Sequence, residues 1–126
     1  MPGQSSQATA SQAAGLAGKT CVPCKGGTPA LKGEELQSYL KQVPGWEVVD
    51  EHHIHRLFKF PDFRQALDFV NRAGAIAEEQ GHHPDIFLAW GKAEVTLWTH
   101  KINGLSESDF IMAAKISSLV EGPPAA

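Results

Sequence analysis

Residues 81–100 read GHHPDIFLAWGKAEVTLWTH, and the change of period on either side of this stretch decides the fold. Gly81 can take the left-handed conformation that ends a helix without a Cβ penalty. Pro84 holds the residue before it extended. Beyond the proline, Ile86 to Trp90 and Ala93 to His100 are two runs rich in β-formers around Gly91-Lys92. Val95, Leu97 and Thr99 alternate with Glu94, Thr96, Trp98 and His100, which predicts a hairpin whose last strand carries His100 on the face opposite Val95 and Leu97.

Working outward, Pro61-Asp62 opens a helix: Asp62 can cap it, and Phe63, Ala66, Leu67, Val70, Ala73 and Ala77 repeat at helical spacing up to Gly81. Before it, Trp46 to Asp50 and Ile54 to Phe60 are strand-like runs joined by Glu51-His52-His53, a second predicted hairpin. A short amphipathic helix from Gly33 to Gln42, with Leu36, Tyr39 and Leu40 on one face, ends at Pro44-Gly45. After a turn at Asn103-Gly104, the cap sequence Ser106-Glu107-Ser108-Asp109 opens a last helix with Phe110, Ile111, Ala114 and Leu119 as its apolar stripe. The order is helix, hairpin, helix, hairpin, helix. The predicted fold is therefore α+β, a four-stranded antiparallel sheet with three helices on one face.

The chain has 126 residues, 42% hydrophobic and 20% charged, enough for one domain and a modest core. Gly and Pro in Lys25 to Pro29 block regular structure, so the expected organisation is an arm over 1–30, a domain over 31–121 and a tail over 122–126. Arm and tail are expected to be disordered. A net charge of −3 offers no basic stripe for a phosphate backbone, which argues against direct nucleic-acid binding. No apolar run reaches membrane-spanning length, and the first residues lack a secretory signal, so a cytoplasmic protein is expected. Residues 1–20 are rich in Ser, Ala, Gln and Gly without an acidic residue, as in an organellar transit peptide, but contain no Arg. A mitochondrion or plastid is the alternative. The only cysteines form Cys21-Val22-Pro23-Cys24; a zinc site needs two further ligands and a redox motif a strand-to-helix context, so a reduced or adventitiously oxidised pair at the domain edge is expected, with a metal half-site completed by histidines or a second subunit as the alternative.

His82 and His83 stand on a corner stiffened by Pro84, and imidazole is the side chain whose ordinary pKa suits general acid and base work near neutrality. Glu78 lies one helical turn before His82 and can orient an imidazole. Alone, such a pair more often marks surface or hydrogen-bonded structural histidines. The cluster His52-His53-Ile54-His55 reads as a polar hairpin connection with exposed imidazoles. Trp46, Trp90 and Trp98 are expected to pack in or beside the sheet.

The run Glu78-Glu79-Gln80-Gly81-His82-His83-Pro84-Asp85, then Thr99-His100, then Gly104 to Asp109, resembles the motif series of the pterin-4a-carbinolamine dehydratases over about the last 90 residues, Pro44-Gly45-Trp46 included. Cys21 to Gly27 resembles the leader of the plant and microbial branch. The resemblance implies the same three-helix, four-strand fold and the loss of water from 4a-hydroxytetrahydrobiopterin to give quinonoid dihydrobiopterin, within pterin recycling. It implies His82, His83 and His100 as catalytic residues, with Glu78, Asp85, Asp109 and Phe87 binding or orienting the substrate. No cofactor and no metal are implied, and self-association as a dimer or tetramer is. Asp109 can equally be a helix cap, and one carboxylate can serve both roles. Many members carry an aromatic residue two positions after the proline where this chain has Ile86, which implies altered pterin contacts or substrate preference with the activity kept.

Two rival readings follow from the same residues. His82, His83 and His100 could form a three-histidine zinc site of a binding protein or hydrolase, although a helical His-x-x-x-His pair is missing and adjacent histidines on an extended segment point apart. A non-catalytic oligomeric interaction protein is the other, for which the stripe on the last helix is more often core than interface.

Overall fold

The structure, a computed structural model, describes residues 15–22 and 28–121. In chain order it contains α1 (Gly33–Leu40), β1 (Glu47–Val49), β2 (His53–Lys59), α2 (Phe63–Gln80), β3 (Asp85–Ala89), β4 (Lys92–Leu97), a 3-10 turn (His100–Ile102) and α3 (Glu107–Glu121). This is the predicted α+β architecture of three helices and a four-stranded antiparallel sheet. No described helix is long and apolar enough to cross a membrane.

Both hairpins form, and the sheet order β1-β2-β4-β3 joins them through their second strands. The β2–β4 register pairs Ile54 with Leu97 and Phe58 with Ala93, while β3–β4 pairs Ile86 with Val95. Ile54, Phe58, Ala93, Val95 and Leu97 thereby share one face and are all buried. The side-chain period of two leaves His55, Leu57, Glu94 and Thr96 on the other face, which stays partly open to solvent.

The helix α2 starts and stops as its sequence dictates. The Asp62 carboxylate accepts the Gln65 N–H at 2.9 Å, and Gly81 ends the helix at φ 66° with its N–H on the Ala77 carbonyl. Its buried stripe is Ala66, Phe69, Ala73 and Ala77, rotated from the expected one. Phe63 and Leu67 are exposed, because the Phe69 ring takes the place against the sheet, 4.5 Å from Phe58 and 5.2 Å from Phe60. The alanines let helix and sheet approach closely; filling one such position with Leu would overpack the layer at about 1–3 kcal/mol.

The last helix differs more from its reading. Phe110, Ile111, Met112 and Ala113 are all buried, and so is Ile116, so apolar residues cover the whole circumference and not one stripe. α3 has protein on two sides: the sheet and α2 on one, α1 on the other, where Tyr39 stacks on Phe110 at 5.3 Å. Each fully buried side chain of this size contributes about 1.5–3 kcal/mol.

Strand ends are shorter than predicted. β4 ends at Leu97, because Thr99 pairs with Gly104 and closes a small loop. His100 opens the 3-10 turn within that loop and is not a strand residue; Asn103, at φ 50°, completes the turn. Trp90, expected to pack, is 72% exposed at the β3–β4 turn beside Gly91, whose φ of 73° and close approach to the Phe60 carbonyl suit glycine. Trp46 is buried, edge-on to Phe58, and its Nε1–H donates to Ser117 Oγ at 2.8 Å.

Part of the arm packs on the domain: within 15–22, Leu16 and Cys21 are buried. Both side chains belong to the core cluster of the domain. Residues 1–14, 23–27 and 122–126, including Cys24 and the expected tail, lie outside the described residues.

Candidate active site

The end of α2 aims two histidines in opposite directions. Gly81 and His82 both donate their N–H groups to the Ala77 carbonyl, at 2.9 and 3.3 Å, so the chain leaves the helix at a fixed angle. In the extended segment that follows, adjacent side chains diverge. The His82 side chain turns inward and is 17% exposed, whereas that of His83 is 60% exposed.

Inward, His82 meets the start of α3. Its Nε2–H donates to Asp109 Oδ1 at 2.6 Å. The other oxygen, Oδ2, accepts the Thr99 hydroxyl at 2.8 Å and the Ser106 backbone N–H at 2.9 Å. Asp109 is thus both the capping carboxylate of α3 and the partner of His82. The helix N-terminus adds a favourable field for a negative group there. Because the Thr99 proton goes to the carboxylate, the 2.8 Å contact between Thr99 and Ser106 hydroxyls runs from Ser106 to Thr99. Asp109 is 0% exposed, and every buried side-chain polar atom among the described residues has a partner. The network fixes the His82 tautomer and leaves Nδ1 as the ring nitrogen free of Asp109.

Outward, His83 Nε2 pairs with Glu78 Oε2 at 2.5 Å on an exposed surface, a contact that orients the ring and adds little stability. Between the histidine corner and the end of β4 lies an open cleft of about 300 Å³, lined by Gly81, His82, His83, Trp98, Thr99, His100 and Lys101. All three candidate histidines reach it. His100 stands against Trp98 at 4.3 Å between ring centroids, and Trp98 against His52 at 4.1 Å. His52 in turn bonds Asn103 Oδ1 at 2.9 Å and His53 Nδ1 at 3.0 Å. His52 and His53 are therefore half-buried members of an aromatic row flanking the cleft, not exposed connectors, while half-buried His55 pairs with Glu94 at 3.2 Å. Burial, followed by the neighbouring His52, holds the His53 imidazole below its ordinary pKa.

The sequence model of the pterin 4 alpha carbinolamine dehydratase family matches residues 29–119. A Rubrobacter xylanophilus protein that carries the name pterin-4-alpha-carbinolamine dehydratase is 66% identical over 104 residues, covering 82% of this chain and 97% of its own. The chain belongs to this dehydratase family. A relative of the same name from Alkaliphilus metalliredigens is 52% identical over 102 residues, 80% of this chain and 92% of its own. The crystal structure of a Brucella melitensis protein described as a transcriptional coactivator/pterin dehydratase superposes with a TM-score of 0.68 at 40% identity, covering 71% of this chain and 97% of that one.

Other expected site residues of this dehydratase-family chain stand elsewhere. Asp85 is exposed at the start of β3, and Phe87, 58% exposed, points from the outer sheet face with Lys92 Nζ 5.7 Å from its ring. Neither lines the cleft. Ile86 points the opposite way, into the helix-covered face, where it packs on the core. The aromatic wall of the cleft is Trp98. Sequence reasoning also missed Thr99 and Ser106, although the alternation that buries Thr99 with Val95 and Leu97 implies a hydroxyl needing a buried partner. Among the described residues, no three of His, Cys, Asp and Glu gather in a metal-holding group.

Proposed function

We propose that the chain dehydrates 4a-hydroxytetrahydrobiopterin to quinonoid dihydrobiopterin and water by histidine general acid and base catalysis, in pterin recycling. The observation that carries this reading is the His82–Asp109 pair at the wall of a cleft that also holds His83 and His100. Asp109 holds the His82 ring with Nδ1 toward the cleft, and a proton carried there passes to the departing 4a-hydroxyl. The N5 lone pair expels that oxygen as water and becomes the C4a=N5 double bond, and loss of the N5 proton to His83 or His100 gives the neutral quinonoid product. Assistance of this kind contributes about 10²- to 10⁴-fold. Glu78 orients His83, and Trp98 offers a face on which the pterin ring stacks.

The test is the rate of quinonoid dihydropterin formation from enzymatically generated 4a-hydroxytetrahydropterin, with and without the protein. No acceleration at stoichiometric concentration overturns the proposal. Full turnover by His83→Ala and His100→Ala would remove these residues from the mechanism. We also propose a cytoplasmic homo-oligomer assembled through an exposed sheet edge, β3 being one such edge beside Phe87. Sedimentation of the full chain reads its mass, and localisation of a fluorescent fusion reads its compartment.

A further inference from the structure

The segment 15–22 crosses the back of the His82–Asp109 pair and joins the two helices that supply it. The Cys21 N–H donates to Gln80 Oε1 at 2.8 Å, and Gln80 is the last residue of α2, two before His82. Val22 and the Ser108 hydroxyl bond reciprocally, the Val22 N–H donating at 3.1 Å and Ser108 Oγ–H returning to the Val22 carbonyl at 3.0 Å. Ser108 is the neighbour of Asp109. The Cys21 thiol meets the Ser108 carbonyl at 3.6 Å. Upstream, Leu16 is buried, Lys115 Nζ donates to the Ala17 carbonyl at 2.8 Å, and Lys19 pairs with Glu107 at 2.8 Å. These contacts tie the arm along the N-terminal half of α3.

Between strap and pair remains a hollow of about 40 Å³ lined by Cys21, Val22, Gln80, Gly81, His82, Thr99 and Ser108. A water needs about 10–15 Å³ of such space, so the hollow has room for a few ordered waters behind His82. We infer that residues 15–22, through Gln80 and Ser108, are a positioning element that holds the end of α2 against the start of α3 and so keeps the His82–Asp109 hydrogen bond in register. This rests on the proposed role of His82. The strap touches no substrate; it acts through the pair, and a displacement of an ångström or less there is enough to slow a positioned proton transfer.

The experiment uses the full chain. Gln80→Met keeps side-chain volume and removes the acceptor for Cys21, Ser108→Ala removes the clasp on Val22, and Gln80→Glu keeps the acceptor. In the double variant Gln80→Met/Ser108→Ala, kcat is expected to fall about 10-fold with KM within about 2-fold, and Gln80→Glu to stay near the parent. Independently of pterin chemistry, the downfield ring N–H proton of His82, assigned by its loss in Asp109→Asn, is expected to exchange with water about 10-fold faster in the double variant. Unchanged kcat per folded molecule together with unchanged ring N–H exchange would overturn the inference, even if the melting temperature drops. Should the double variant not fold, Leu16→Ala loosens the far anchor and is read by the same two measurements. If the parent proves inactive on the carbinolamine, the functional reading falls while the exchange measurement still judges the strap.

Discussion

Replacing Asp109 by Asn keeps shape and removes one acceptor. The carboxylate takes three donors: His82 Nε2–H, the Thr99 hydroxyl and the Ser106 N–H. The Asn oxygen can serve Thr99 and Ser106 as before, which turns its NH₂ toward His82 Nε2. Two donors then face each other unless the imidazole moves its proton to Nδ1. A lost charge-assisted hydrogen bond costs about 1.5–3 kcal/mol. For a domain of this size that lowers the melting temperature by roughly 6–24 °C. The catalytic effect is larger than stability alone gives, because the Asn NH₂ cannot accept the Nε2–H of the ring that must also carry the Nδ1 proton; in serine-protease triads the same substitution costs about 10⁴ in kcat. Here the expected loss is about 10²- to 10⁴-fold, the range of general acid/base assistance. The assay is carbinolamine dehydration well below the variant's melting midpoint, with a thermal melt on the same sample. A folded variant with kcat within about 3-fold of the parent would refute the reasoning, since one imidazole's acid/base contribution is at least about 10².

Three further outcomes are expected. Gly81→Ala meets no steric obstacle, since nothing lies within 4 Å of the added Cβ, so only the left-handed φ of 66° is penalised. The cost is about 1–2 kcal/mol in a thermal melt, and a variant as stable as the parent would contradict the helix stop. Trp98→Ala removes the aromatic wall and is expected to raise KM about 10-fold with kcat less affected, read by steady-state kinetics; an unchanged KM would exclude stacking at Trp98. Burial pushes the Cys21 thiol above its ordinary value near 9.0, so the folded state keeps a proton that the unfolded chain releases. That contribution is present below about pH 9 and is lost as pH rises through the raised folded value. Melts across the alkaline range should therefore show a steeper decline for the parent than for Cys21→Ala, and parallel declines would count against a buried thiol.

What could be read from the sequence was local. The Asp62 cap and the Gly81 stop each depend on residues within one turn of backbone, and both stand where the spacing puts them. The hairpins follow from period-two runs, whereas their order in the sheet depends on the β2–β4 pairing between segments remote in sequence and was not legible. The α2 stripe was read less well: mean spacing cannot tell a face centred on Phe69 from one centred on Leu67, because both repeat every turn and only the sheet's aromatic side chains choose between them. The burial of α3 on both sides was hidden for a related reason. Amphipathic reading assumes solvent on one side, and the second cover comes from α1 and the arm, elements remote in sequence.

The same distinction accounts for the site. His82, His83 and Glu78 belong to one helix end, and their proximity is written in the chain. His100 reaches the cleft by another route from the one its alternation suggested: the Thr99–Gly104 pairing lifts it off the ladder and into a turn. The link between His82 and Asp109 is longer still, for it requires the C-terminus of α2 to stop where α3 begins. One carboxylate can cap a helix and hold an imidazole only if both ends coincide, so the glycine stop of one helix and the Ser106 start of the other act as parts of one device. A change at either end that leaves every side chain of the cleft in place is therefore expected to move the proton chemistry.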